Sequence, residues 1–431
     1  MKIVYVLPGF GGSFYCQNCF RDNMMLKPLR ALGHEVFMAP MYMPLSSEGK
    51  LESTVFYGAI NVYLREQFKA LRHMPAWLER FFNAPFFMRI AMSMAGSTRA
   101  TGLEEMTLSV LKGEYGNQSQ DLAELVGWIR NIDPDIVHIS NALLLGLAPQ
   151  IRRETNAKVI CTLQDEDTWV DVMRPPMAAA IWNEMRSSAE HVDSFISVSS
   201  YYARKMMKKL SVPAKKMHVV PPGVATEGFD DVELPMNPPV IGFLSRLSVT
   251  LGLDTVINAF LKLKADAKYR NLRLRLSGGK TNDDNKFLKE TAAMLERKDL
   301  AGDVDIVPEE FAHGRMKFLR SLTVLTVPVP GGEAFGTYQI EAMAAGVPVV
   351  QPDEGAYPEV IRATGGGVIY GPNNADALAR TIRSLLDNPR RLRVLGMCGQ
   401  RAVRKNYSAD AVVKKIETVY ECVLGRRHRE R

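Results

Sequence analysis

Two glutamates, Glu333 and Glu341, stand with seven residues between them on either side of a Phe335-Gly336-Thr337 step. Residues 330–350 read as a loop, a helix and a strand. Phe335-Gly336 lets the backbone approach a ligand closely, and Thr337 can cap the helix. Gly346 ends that helix, and Pro348 forbids its continuation. The first-turn amides and the helix dipole together make a cradle for phosphate. Carboxylates beside a phosphate site are electrostatically unfavourable unless they accept hydrogen bonds from hydroxyls, and sugar and ribose hydroxyls are the natural donors. The plainer alternative is a helix cap beside a solvated face.

Short apolar runs alternate with amphipathic stretches and must position this segment. In the first half the predicted strands are 2–7, 35–39, 136–140, 158–163, 194–197 and 218–220. Each is nearly continuously apolar, as a strand covered on both faces must be. Helical periodicity follows over 23–32 and 203–210. After Pro221-Pro222-Gly223 the chain turns rich in Pro, Asp, Glu and Gly, which marks a linker at 226–239. The rhythm restarts at 240–244, 273–277, 303–307, 322–327, 347–351 and 367–370. This predicts an α/β chain of two Rossmann-like, doubly wound parallel-sheet domains, 1–225 and 240–407, facing a central cleft. Ligands in such sheets bind outside the carboxyl ends of the strands. A last amphipathic helix spans 408–425, with Val412, Val413, Ile416, Val419, Tyr420 and Val423 near one stripe.

The 431 residues suit two or three domains. The chain is 46% hydrophobic and 23% charged, an ordinary globular composition. A net charge of +7 suits phosphate-bearing ligands or an anionic membrane surface. No zinc-finger spacing, aromatic RNA-binding signature or basic-region heptad is present, so no nucleic-acid partner is expected. Five cysteines argue against a secreted disulfide framework. The apolar start, Met1 to Pro8, is too short for a signal-peptide core and reads as a buried strand. No run of about 18 apolar residues predicts a transmembrane helix, and the expected location is cytoplasmic. A helical insert over 63–125 does not fit the sheet rhythm. Its stretch from Tyr63 to Met94 is basic and aromatic, and reads either as a cover for the first domain or as a peripheral contact with anionic lipid at the inner membrane surface.

Other residues offer competing chemistry. Cys16 and Cys19 follow the first strand and open a helix, which suits a lowered thiol pKa. A zinc site there would need two more ligands, and His34, His138 and Cys161 are available without any spacing that pairs them. The plainer reading is close packing. His138 ends a strand and either contacts an acceptor or sits satisfied in the core; with Asn141 it is assigned to the acceptor side. Gly9-Phe10-Gly11-Gly12 has the wrong glycine order for a dinucleotide fingerprint, and no ribose-binding acid stands about 20 residues on.

The segment from Glu333 to Val350 resembles the donor-binding signature of glycosyltransferase family 4, whose members have the GT-B fold. The resemblance runs over nearly the whole chain. It includes Gly11-Gly12, Gly33-His34-Glu35-Val36, Val219-Val220-Pro221-Pro222-Gly223-Val224, Ser245-Arg246-Leu247, Gly252-Leu253-Asp254, Gly355-Ala356-Tyr357-Pro358-Glu359 and Gly365-Gly366-Gly367. The Glu-to-Glu signature is specific, whereas the glycine pairs are weak alone. The last helix resembles the one that crosses back to the first domain in that family.

The resemblance implies a role for each matching residue. Glu341 would bind ribose hydroxyls, and Glu333 hydroxyls of the transferred sugar. Phe335, Gly336 and Thr337 would offer amides to phosphate and sugar. Gly11 and Gly12 would let the first-domain loop approach the diphosphate, and Arg246 would neutralise it. Two positions depart from the family. Leu251 stands where a Lys is usual, and Lys280, after Ser277-Gly278-Gly279, is the proposed substitute. Gln164 stands where His is frequent, near the donor sugar. Glu333, Asp165 and Gln164 form the implied catalytic set, with Asp165 either orienting an acceptor hydroxyl or capping a helix. Asp165-Glu166-Asp167 resembles the metal motif of the other large glycosyltransferase fold and is read here as non-metal.

The implied activity is retaining, metal-independent, hexosyltransferase-type transfer from a nucleotide-sugar, with no cofactor. The acceptor would be a glycan, a lipid or lipid-linked molecule, or a small molecule, in a setting such as polysaccharide biosynthesis. The alternatives are a nucleotide-sugar 2-epimerase on the same fold and a non-catalytic nucleotide-sugar or glycan-binding protein.

Overall fold

The computed structural model describes residues 1–9, 25–43, 46–47, 50–51, 102–228, 234–307 and 313–426. Gly11, Gly12, Cys16, Cys19 and the basic aromatic stretch from Tyr63 to Met94 lie outside the described residues. The chain forms two compact units. One comprises Met1–Pro221 with Val413–Arg431, and the other Pro222–Val412.

The first unit is built on a six-stranded parallel sheet. Its strands are β1 (Lys2–Gly9), β2 (Glu35–Met43), β3 (Ile136–Ile139), β4 (Lys158–Leu163), β5 (Ser194–Ser197) and β6 (Met217–Val219). Their order is β2-β1-β3-β4-β5-β6. Helices cover both faces, so whole strands are buried: every residue of β3 and β5 is inside. Each fully buried Val, Ile or Leu contributes about 1.5–3 kcal/mol of transfer free energy.

The second unit repeats the plan with β7 (Val240–Leu244), β8 (Arg273–Ser277), β9 (Val304–Val307), β10 (Val324–Leu325), β11 (Val349–Pro352) and β12 (Gly367–Tyr370). All pairings are parallel, in the order β9-β8-β7-β10-β11-β12. Successive strands run outward in one direction from β7 and in the other from β10. The boundary between β7 and β10 is therefore the topological switch point, where a crevice opens at the carboxyl ends. The run 322–327 yields only a two-residue strand, and past its end the Val327 amide bonds to the Gln351 side chain at 3.2 Å.

Five helices carry the residues that matter below. They are α1 (Ser200–Leu210), α2 (His313–Arg320), α3 (Thr337–Ala344), α4 (Tyr357–Thr364) and α5 (Ala409–Val423). Ser199 caps α1 by accepting from the Tyr202 amide, and Tyr202, Ala203, Met206 and Leu210 form its buried stripe. α5 buries Val412, Val413, Ile416, Val419 and Tyr420 at the same helical spacing. Among the described residues, no helix is long and apolar enough to cross a membrane.

Candidate active site

The loops that follow β7, β8 and β10 meet at the carboxyl edge of the second sheet, around its switch point. The β7 and β8 loops continue as a pair beyond their strands. Ser245 N–H donates to the Ser277 carbonyl at 3.1 Å, and Leu247 N–H to the Gly279 carbonyl at 2.8 Å. This pairing sets Arg246 and Lys280 on neighbouring stretches of backbone. Arg246 is partly anchored, with Nη2 donating to Thr250 Oγ1 at 3.0 Å and Nε lying 3.9 Å from the Asp284 carboxylate. Asp284 is itself buried and held by the amide and hydroxyl of Thr281. Lys280 is exposed and makes no hydrogen bond or ion pair among the described residues. Leu251 is half-buried in the turn Val249–Leu251.

The β10 loop enters α3 through Gly336, whose φ of 77° is a left-handed value that favours glycine. The Gln339 amide closes the first turn of α3 on the Gly336 carbonyl at 3.0 Å, and the amides before it, which precede any intrahelical acceptor, point out of the helix start. The Gln339 side chain fixes this entry by donating to the Phe335 carbonyl at 2.7 Å. The Phe335 ring is buried and packs on Tyr407, with centroids 6.3 Å apart. Upstream, the Gly331 amide donates to Glu354 at 2.7 Å, and the Ala356 amide to the Glu333 carbonyl at 3.0 Å. The loop before α3 is thus latched to the segment that opens α4.

The two glutamates are held differently. Tyr338 Oη donates to Glu333 Oε2 at 2.5 Å, Tyr357 Oη donates to the same oxygen at 3.2 Å, and the two phenols lie 2.9 Å apart. Both tyrosines are fully buried. Burial and the adjacent Glu333 carboxylate push the Tyr338 phenol well up, so it remains a hydrogen-bond donor. Glu341, in the second turn of α3, accepts two bonds from Arg315 of α2: Nε to Oε1 at 2.9 Å and Nη2 to Oε2 at 2.6 Å. Sequence reasoning missed Arg315, Gln339, Tyr338 and Tyr357. Tyr338 and Gln339 carry a local signal, since both sit in the first turn of the helix that the glutamates flank.

The first unit corrects several expectations. His138, expected on the acceptor side, is fully buried on β3. Its Nδ1 bonds to Tyr420 Oη at 2.6 Å and its Nε2 to Thr162 Oγ1 at 2.7 Å, while its ring lies against Tyr5. With both nitrogens satisfied in the core, it is a packing residue. Asn141 acts as a cap, its Oδ1 accepting from the Leu143 amide at 2.8 Å. Gln164, expected near the donor sugar, is turned inward and 2% exposed, with Nε2 donating to the Ser140 carbonyl at 2.8 Å. Asp165 opens the helix Glu166–Val170 in a left-handed conformation, φ 59°, and its side chain makes no capping bond.

The carboxylates that follow Asp165 diverge. Asp167 pairs with Lys205. Glu166 is fully buried and accepts from the Ala142 amide at 3.0 Å, the Gln164 amide at 2.8 Å and Tyr202 Oη at 2.7 Å. Burial pushes its carboxyl up to about 7, against the pull of those three donors. Cys161 is buried beside it, and that burial pushes its thiol well up. His34 pairs with Glu417 at 3.1 Å. Among the described residues, no group of three or more His, Cys, Asp or Glu side chains could hold a metal ion.

Comparison with known proteins gives a consistent picture. The family model described as Glycosyl transferases group 1 matches residues 225–402. The model described as Glycosyltransferase Family 4 matches residues 108–227. An MMP alpha-(1->4)-mannosyltransferase of Mycolicibacterium hassiacum is 29% identical over 240 residues, which are 55% of this chain and 56% of that protein. The match thus spans little more than half the length of that curated relative. A phosphatidyl-myo-inositol mannosyltransferase of Mycolicibacterium smegmatis is 26% identical over 304 residues, covering 69% of this chain and 74% of that one. Among solved structures, Anabaena HepE in complex with UDP superposes with a TM-score of 0.68 at 14% identity, covering 98% of this chain and 100% of that one. The two parallel six-stranded sheets and this likeness show a two-domain α/β GT-B fold.

Proposed function

The chain belongs to glycosyltransferase family 4, and from that premise we propose that its second unit binds a nucleotide-sugar whose sugar the protein transfers, with retention and without a metal, to an acceptor hydroxyl. One observation carries this reading. Glu333 and Glu341 flank the amino end of α3 at the sheet's switch point, where the paired loops of Arg246 and Lys280 also end. Carboxylates for hydroxyls, amides for phosphate and cations for a diphosphate are the three recognition elements such a donor requires.

In this reading Glu341 takes the ribose and Glu333 the transferred sugar. The amides of Gly336 and Thr337 face the phosphates. Arg246 and Lys280 stabilise the charge that builds on the diphosphate as the bond from the anomeric carbon to phosphate oxygen breaks. The acceptor oxygen bonds to the anomeric carbon on the same face, and its proton passes to the leaving phosphate oxygen. The protein contributes position and charge, through groups that require no reorganisation during the reaction. Cations placed at the diphosphate support metal independence. The mannosyltransferase names of the two curated relatives support a hexose as the transferred sugar, and one of them supports an α-linked product. The lipid named for the second relative supports a lipid-linked acceptor, beside a glycan.

Leu251 favours a second reading, a protein that binds a nucleotide-sugar without turning it over, because one cation fewer would stabilise the leaving group. The two readings separate in one experiment. The protein is incubated with UDP-, GDP- and ADP-hexoses, with and without EDTA, and released sugar is followed by NMR with its anomeric form. Transfer chemistry predicts slow release of the retained anomer from one donor, persisting in EDTA and lost in Glu333→Gln. Tight donor binding with no release would establish the binding protein. Release abolished by EDTA would refute metal independence.

A further inference from the structure

Resting on the assignment of Glu333 to the transferred sugar, we propose that Tyr338 and Tyr357 are positioning residues that set this chain's recognition of the sugar half of the donor, independently of its nucleotide half. The two phenols and Glu333 Oε2 form a closed triangle of contacts at 2.5, 3.2 and 2.9 Å. Two hydroxyls bring two protons, and a carboxylate accepts without donating. Tyr338 Oη also lies 3.4 Å from the Val327 carbonyl; with Tyr338 donating to the closer Oε2, Tyr357 can give its proton to that oxygen or to the Tyr338 oxygen. In each arrangement the carboxylate is held in one rotamer from its inner side.

The tyrosines come from different elements, the first turn of α3 and the start of α4. Both are fully buried, so their rings cannot swing away. The loop between them is closed by the bond from the Ala356 amide to the Glu333 carbonyl. A flexible side chain beside a sugar would lose rotamer entropy on binding. A side chain fixed in advance by two buried donors does not, and aligns its bonds with the reacting sugar from the start. The nucleotide half is held elsewhere, by Glu341, Arg246 and the α3 amides, and does not depend on this triangle.

The test uses Tyr338→Phe, Tyr357→Phe and Glu333→Gln, each alone, and Tyr338→Phe combined with Glu333→Gln. Phenylalanine keeps the ring packing and removes only the hydroxyl. Affinities for UDP, GDP and ADP and for their hexose conjugates are measured by calorimetry, and kcat/KM for sugar release by NMR. Each single tyrosine variant is expected to keep nucleoside diphosphate affinity within about twofold and to lower kcat/KM for the conjugate about 10- to 100-fold. Tyr338→Phe should cost little more once Glu333→Gln is present. The inference is overturned by unchanged kcat/KM in both tyrosine variants. It is equally overturned by an equal loss of diphosphate affinity, which marks a collapsed loop, or by full additivity with Glu333→Gln. Wild-type protein that binds none of the diphosphates or conjugates would instead refute the donor site itself, and the inference would fall with it.

Discussion

Arg315 of α2 and Glu341 of α3 meet side-on through two hydrogen bonds, at 2.9 and 2.6 Å, with each side chain only 12% exposed. The planar guanidinium matches the carboxylate edge, a geometry that lysine cannot reproduce. An ionised carboxylate offers about four lone-pair sites. Two are taken by Arg315, which leaves acceptors for two ribose hydroxyls and keeps the group aimed. Arg315→Ala is therefore expected to weaken nucleoside diphosphate binding about tenfold and to lower stability by about 2–4 kcal/mol, because a mostly buried carboxylate loses its partner. Arg315→Lys should recover part of the stability and less of the affinity. Calorimetry and denaturant titration measure the two effects. Unchanged nucleotide affinity in Arg315→Ala would detach this pair from the site.

Arg246 and Lys280 are expected to divide the diphosphate charge between them. Removing one donor or cation aimed at developing charge costs about 2.7–4 kcal/mol in comparable sites. Arg246→Ala and Lys280→Ala should each reduce kcat/KM for the donor by roughly two orders of magnitude. Stability should hardly move for Lys280, which is exposed and has no partner among the described residues. Restoring the missing cation with Leu251→Lys should raise kcat/KM in the Lys280→Ala background. Donor kinetics that ignore Lys280 would return the task to Arg246 alone.

Gly336 offers a geometric test. A Cβ there would lie 3.0 Å from Tyr338 Oη and Gln339 Nε2, and 3.1 Å from Glu333 Oε2. Gly336→Ala should cost about 1–2 kcal/mol for its left-handed backbone and also reduce donor binding at least tenfold by disturbing these three groups. Gly365, which ends α4 at φ 64° with its nearest neighbour 3.6 Å away, is the control. Gly365→Ala should carry a similar stability cost with donor affinity intact. Equal donor affinity in both variants would contradict the close fit around Gly336.

Glu166 makes stability depend on pH in a defined direction. Its folded-state value, pushed up to about 7 by burial, lies above the ordinary 4.5. Below about pH 4.5 both folded and unfolded chains hold the proton, and the group contributes nothing. Between 4.5 and 7 the folded chain binds the extra proton, so stability falls as pH rises through this window. Above 7 the loss is complete, at about 3 kcal/mol. Urea titrations at pH 5, 6 and 7 should show this slope in wild type, and Glu166→Gln should lack it. Parallel slopes in the two proteins would mean that Glu166 ionises at an ordinary pH, held charged by Ala142, Gln164 and Tyr202.

The parts legible in the sequence are those encoded by neighbours along the chain. The apolar runs from Ile136 and Val240 become strands because each is covered on both faces. The step from Glu333 to Gly346 is legible because its loop, helix start and helix end are contiguous. What the sequence hides is set by contacts across it. Tyr420 stands 282 residues from the His138 it satisfies, so a histidine at a strand end looks like a site residue when it is core. Arg315 lies 26 residues from Glu341 and Tyr357 24 from Glu333, with a strand between in each case, and no local periodicity links them. Gln164 hides for a subtler reason: its position at the end of β4 is readable, but the rotamer that sends its amide to Ser140 is not.

The donor site is tested most directly by titrating UDP, GDP and ADP, with and without Mg²⁺, while following the melting temperature of wild type and of Glu341→Ala. A ligand at about 100 times its dissociation constant stabilises the folded chain by about 2.7 kcal/mol. One nucleotide should raise the wild-type melting temperature without metal, and Glu341→Ala should abolish the rise. A shift that survives in Glu341→Ala, or no shift with any of the three nucleotides, would contradict a donor site at the start of α3.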